Sequence, residues 1–120
     1  MFLQLQHKNL EVYQHARKLV KACYLISKEL PADEKFILVP QIRRAALSVK
    51  LNIAEGCSRF SSQERKRFYE IARGSIIEID AAFETIVDLN YIELSKLEDA
   101  GVELITTFKM LSGLINKTTK

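Results

Sequence analysis

The side chains able to do chemistry are few, and their spacing excludes most reactions. The histidines are His7 and His15. Helical bundles commonly hold metals through Glu-x-x-His pairs, and this chain has none. His15 and Cys23 are eight residues apart, about two helical turns, too far for a shared ligand cluster. Neither a metal nor a cofactor is expected. Cys23 falls on an apolar stripe and reads as a small buried hydrophobe. Cys57 falls at a helix C-terminus, the negative end of the helix dipole, which raises a thiol pKa and blunts a nucleophile. No glycine-rich loop is present to cradle a phosphate. Gly74 and Gly101 fall inside helices, where glycine costs about 1 kcal/mol against alanine. The expected reason is a close crossing of the third and fourth helices. Glu78 and Asp80 point different ways around a helix and do not form an acid–base pair. No constellation supports an enzyme.

The cations are more informative. Arg59, Arg65, Lys66 and Arg67 gather around a turn between two helices, with Phe60, Phe68 and Tyr69 among them. Arg43 and Lys50 stand two turns apart on one helix, and Arg17, Lys18 and Lys21 lie on the preceding one. Cations on a common face contact phosphates, and aromatic rings among them stack on unpaired bases. The plainer alternatives are solvated helix faces, Phe68 as part of the core, and Phe60 as a hydrophobic staple at the start of the third helix. Gln41, Arg44, Ser48, Asn52 and Glu55 fall three or four apart on one line. They form either a solvent stripe or a hydrogen-bond network that fixes helix register or a subunit contact. Glu55 can also pair with Arg59 at i+4.

These residues are positioned by four segments of helical period. The first runs from about Leu10 to Glu29, with the stripe Val12, Tyr13, Ala16, Leu19, Val20, Cys23, Ile26 and Leu30. Asn9 is its expected cap, and Pro31 stops it. The second runs from about Pro40 to Cys57. One stripe is Leu38, Ile42, Ala45, Val49 and Ile53, and a second is Leu47, Leu51 and Ala54. A helix so apolar around its circumference is central or lies under a partner. Pro40 suits a first helical position, and Gly56 is placed to end the helix.

The third segment runs from about Ser62 to Asn90, opened by the capping-box pattern Ser61 to Glu64. Its stripe is Phe68, Ala72, Ser75, Ile79, Ala82, Ile86 and Leu89, flanked by Ile71, Ile76 and Phe83, while Ile77 interrupts the polar side as an exposed contact. The fourth runs from about Lys96 to Asn116, opened by Ser95 to Glu98 in the same pattern. Its stripe is Leu97, Gly101, Leu104, Phe108, Leu111 and Ile115, and the tail Lys117 to Lys120 is expected to fray. Without strand alternation or hairpin signals, short connections between long helices predict an all-α, antiparallel up-down-up-down four-helix bundle, one domain over 1–120.

At 120 residues, 48% hydrophobic and 28% charged, the chain has the composition of an ordinary globular domain, not of a disordered chain or disulfide scaffold. No apolar run suffices for a membrane helix, and Gln4, Gln6 and His7 break any secretory signal. Two cysteines without a CxxC motif fit a reduced, cytoplasmic protein. The net charge of +3 is uneven: residues 1–60 carry ten Lys/Arg against five Asp/Glu, and residues 61–120 carry eight against ten.

The run Gln41 to Gly56 (QIRRAALSVKLNIAEG) and the later run Phe68 to Glu78 (FYEIARGSIIE) together resemble the bacterial four-helix-bundle family encoded in intervening sequences of 23S ribosomal RNA genes. The resemblance covers essentially the whole chain. Arg43, Arg44, Asn52, Glu55, Gly56, Gly74 and Ser75 match the family's motif positions, and are read as structural or assembly residues. Ile37 replaces the family's usual glycine and Val39 its usual Ser or Thr, so the second helix is expected to start without a side-chain cap. The family is similar to the accessory variability determinant of diversity-generating retroelements, a homopentamer that binds nucleic acid and works with a reverse transcriptase.

The resemblance therefore implies a ring-like homo-oligomer, a pentamer, and the two apolar faces of helix 2 together with Ile77 supply its expected interface. The expected function is non-enzymatic binding of RNA or DNA with little sequence specificity. Arg17, Lys18, Lys21, Arg43, Lys50, Arg59, Arg65, Lys66 and Arg67 are the candidate contacts. The alternative is a protein-interaction scaffold or accessory subunit, docking a reverse transcriptase or another protein, whose cations serve solubility.

Overall fold

The computed structural model describes residues 2–118 and is all-α. Its helices are α1 (Glu11–Ser27), α2 (Leu38–Cys57), α3 (Ser62–Asp88) and α4 (Glu98–Lys117), with 3₁₀ turns at Gln6–Asn9, Ala32–Glu34 and Leu94–Leu97. No strand occurs among the described residues. The expected fraying of the tail falls partly on Thr119 and Lys120, outside the described residues; Lys117 closes α4.

The apolar stripes converge on one core. Leu19 of α1, Ile42 and Ile53 of α2, Ile76, Ile79 and Ile86 of α3 and Leu111 of α4 are all fully enclosed. Two stripes hold in register but depart from the sequence reading at single positions, among them Leu89, which is exposed. Tyr69, not Phe68, is the buried aromatic at the start of α3. On α4, Ala100 and Thr107 go inward while Phe108 remains partly exposed. Thr107 is accommodated because its Oγ1 donates to the Glu103 carbonyl at 2.7 Å.

The helix termini correct several expectations. The Gln6–Asn9 turn takes up Asn9, so Leu10 precedes α1 without a side-chain cap. Helix α2 starts at Leu38, two residues before Pro40, after an uncapped Ile37. Proline is tolerated there because the first-turn N–H groups have no helical partner in any case. Ser61 does cap α3, its Oγ accepting from the Glu64 N–H at 3.1 Å. Ser95 does not cap α4: it lies within a 3₁₀ turn, and Leu97 occupies the cap position without a side-chain bond.

Helix α3 ends at Asp88, and Asn90 reverses the chain at φ 60°. The Tyr91 N–H then reaches back to the Ile86 carbonyl at 3.0 Å, the closure that a left-handed residue after a helix permits.

Cross-helix contacts fix the neighbours. On the α1–α2 seam Tyr13 meets Lys50, while Tyr24 and Ser27 meet Arg43. On the α2–α3 seam Gln41 meets Glu78, Ser48 meets Ser75, and Gly56 lies against Tyr69. Helix α4 is tied to α1 by His15–Glu103 at 2.7 Å and to α3 by Arg73–Ser112 at 3.4 Å.

Gly56 serves close approach and not termination. A Cβ there would sit 2.7 Å from Tyr69 Cε1 and 3.1 Å from Phe68 Cβ. The mid-helix glycines correct the expected close crossing of α3 and α4. A Cβ on Gly74 or Gly101 would meet nothing within 4 Å.

Candidate nucleic-acid interface

The α1–α2 seam is cationic. Arg43 Nε donates to Ser27 Oγ at 2.8 Å, and its guanidinium carbon lies 4.9 Å from the Tyr24 ring centre. Lys50 Nζ lies 5.9 Å from the Tyr13 ring centre. Both cations are half-buried and held by aromatic faces, an arrangement that keeps the charge while fixing the stem. Arg17 follows Tyr13 by one turn, Lys21 follows Arg17 by another, and Lys28 follows Tyr24 by one. All three are exposed. Lys18 is exposed on the adjoining outward arc. The rows Tyr13–Arg17–Lys21–Lys28 and Arg43–Leu47–Lys50–Ala54 contain no carboxylate; Glu11 and Glu55 lie on other arcs of their helices, and Glu29 lies in the turn past the end of α1. Sequence reading missed Lys28, although its spacing of one turn from Tyr24 was available.

The other predicted cations stand at the α2–α3 turn and are largely committed to it. Arg65 donates to the carbonyls of Arg59 and Phe60 and to Ser62 Oγ. Arg59 bonds Glu55 at 3.0 Å, and its guanidinium carbon lies 4.8 Å from the Phe68 ring centre. The Arg67 guanidinium lies at 4.7 Å from the same ring. Lys66 is half-buried. Phe60 is not a staple: it is 100% exposed, because Arg65 fixes the turn's carbonyls with the ring directed away from the bundle.

The polar line on α2 is partly network and partly surface. Ser75 Oγ donates to Ser48 Oγ at 2.8 Å, and Asn52 Nδ2 donates to the Ser48 carbonyl at 2.8 Å. Gln41 reaches Glu78 at 3.1 Å, and exposed Arg44 reaches Gln41 at 3.4 Å.

Neither thiol is activated. Burial pushes Cys23 up to about 12. Burial also raises Cys57, with the Arg65 charge and a hydrogen bond from Tyr69 opposing it, so the cause is enclosure more than the helix end. Among the described residues, no group of three or more His, Cys, Asp or Glu is placed to hold a metal ion. No helix among them is long and apolar enough to cross a membrane.

Between α3 and α4 the packing opens into a groove of about 720 Å³. Its floor includes Phe83, Leu97 and Leu104, and its rim Leu94, Val102 and Ile105. Asp80, Glu84, Asp88 and Glu98 line it and no cation does. A smaller hollow of about 280 Å³ continues past Ile105 to Ile77 and Phe108. Ile77 is 56% exposed, as its position on the polar side predicts.

Fold and surface together define an all-α, four-helix protein with one cationic seam. The chain belongs to the family described as 23S rRNA-intervening sequence protein, whose family model matches residues 8–113. It is similar to a crystal structure from Bacteroides thetaiotaomicron VPI-5482, a protein of unknown function from the S23 ribosomal protein family. The TM-score is 0.80 at 21% identity, covering 87% of this chain and 97% of that one. This likeness is one of fold. Over 78 residues the chain is 36% identical to a tRNA-2-methylthio-N(6)-dimethylallyladenosine synthase of Erythrobacter litoralis (strain HTCC2594). That match covers 65% of this chain, which spans only 16% of the synthase.

Proposed function

We propose that this protein is a non-enzymatic, oligomeric helical bundle that binds the backbone of RNA or DNA through its α1–α2 face, with little sequence specificity. The observation that carries the reading is the carboxylate-free seam, where Arg43 and Lys50 are fixed over tyrosine rings beside exposed Arg17, Lys21 and Lys28. Cations so arranged release counterions from a phosphate backbone and do not read base edges. The up-down-up-down topology is supported by the reversed order of contacts on the α1–α2 and α2–α3 seams. Assembly into a ring, a pentamer by family resemblance, would repeat a monomer charge of +3 and let several faces engage one polyanion. The ring itself is suggested by the resemblance to the retroelement accessory protein. A stretch of a tRNA-modifying enzyme matches this chain, which also suits RNA as the ligand.

The test is binding to a labelled structured RNA and a duplex DNA at low and moderate salt. Affinity should fall steeply with salt for both. Arg17→Glu with Lys21→Glu should lower affinity by about tenfold or more and flatten the salt slope by about two contacts. Absence of binding by the native protein at low salt would refute the reading in favour of a protein-docking scaffold.

A further inference from the structure

Two unsatisfied surfaces lie at opposite ends of the molecule. One is Phe60, wholly exposed at the α2–α3 turn. Its setting is ordered: Arg65 bonds the turn's carbonyls, and Ser61 caps the following helix. A large aromatic side chain displayed on a rigid turn, with Arg67 exposed and Lys66 half-buried on the same turn while Arg59 is paired with Glu55, is a preformed knob with a cationic collar.

The other surface is the α3–α4 groove. Asp80, Glu84 and Asp88 follow one another at four-residue intervals, a like-charge row that disfavours the helix unless a cation faces it. The ion pairs among the described residues are His15–Glu103 and Arg59–Glu55, and neither uses this row. The exposed Val102 and Ile105 on the facing wall leave apolar surface uncovered, and Gly101 leaves a notch where a Cβ would meet nothing within 4 Å. The groove volume of about 720 Å³ admits a phenyl ring together with neighbouring side chains.

We infer that the groove receives the Phe60 turn of a second copy of this chain, ring against Val102 and Ile105, with the collar of cations facing Asp80, Glu84 and Asp88. The charges are complementary and the apolar surfaces match in kind. A chain cannot fill its own groove: Arg67 and Glu84 are seventeen residues apart on one continuous helix, about 25 Å. The contact is therefore head-to-tail, each copy offering a knob to one neighbour and a groove to the other, and such contacts close into rings or grow into filaments. This deepens the assembly part of the proposed function and does not depend on polyanion binding.

Sedimentation velocity on the full chain tests it, with Phe60→Asp removing the knob and Val102→Asp blocking the groove. The native protein should sediment as an oligomer. Each variant alone should sediment as a monomer with native helicity, because both positions are exposed. Mixed in equal amounts, they should form a species of twice the monomer mass and nothing larger, since one intact knob meets one intact groove. Phe60→Ala and Ile105→Asp should repeat this pattern.

A monomeric native protein, variants of native size, or a mixture that stays monomeric would each overturn the inference. Loss of RNA binding by Phe60→Asp at unchanged oligomer size would instead make Phe60 a base-stacking residue, which also overturns it. RNA binding by the native protein is read separately, so failure of the knob and failure of the polyanion reading are told apart.

Discussion

The α1–α2 seam and the α3–α4 seam solve the same packing problem with opposite results. Along the first, tyrosine rings lie under cations and a buried serine accepts from Arg43, so polar and apolar groups are both covered. Along the second, the packing opens into a groove, four carboxylates line it, and Val102 and Ile105 stand exposed. A closed seam stabilises the monomer. An open one keeps apolar area in reserve and gains only when something else covers it. The uneven charge of the sequence is thus a division between two seams, cationic on one side of the molecule and anionic on the other.

The largest expected effect separates them directly. Ile53→Ala, in the closed core, should cost about 2–5 kcal/mol in a denaturant titration. Ile105→Ala in the open groove should change monomer stability by less than about 0.5 kcal/mol. Equal losses would show that the groove is closed in solution.

A smaller effect is expected at Gly56. Alanine improves helix propensity but forces its Cβ into the buried Tyr69 ring, so Gly56→Ala should lower stability by about 1–3 kcal/mol. An unchanged melting midpoint would mean that α2 and α3 can separate there. The smallest effect has the opposite sign. Gly74→Ala meets open space and should stabilise the chain by about 0.5–1 kcal/mol. A loss instead would show that a neighbouring copy uses the space above Gly74.

The register of α1 is legible in the sequence because Val12, Ala16, Leu19, Cys23 and Ile26 repeat at three and four residues, and all are buried. The start of α3 is legible because Ser61 and Glu64 have the capping spacing and the backbone permits the bond. The same spacing at Ser95 and Glu98 misleads, since a 3₁₀ turn places Ser95 outside the cap position. The glycines show why a residue type does not reveal its purpose. Gly56 reads as a stop and is a contact, while Gly74 reads as a contact and faces open space. The distinction lies in the neighbour across the seam, which periodicity does not describe. The groove escapes a stripe-based reading for the same reason. Its traces were the four-residue run of Asp80, Glu84 and Asp88, and the off-stripe apolar pair Val102 and Ile105.

The two thiols are also set apart by their surroundings, and this gives the molecule an internal gauge of its own opening. Cys57, partly enclosed near the end of α2, is reached by an alkylating reagent through small excursions of that helix end. Cys23, sealed in the core with its pKa pushed up to about 12, offers almost no thiolate until the helices part. Labelling at Cys57 thus samples local fraying, and labelling at Cys23 counts the rarer moments when the whole bundle comes undone.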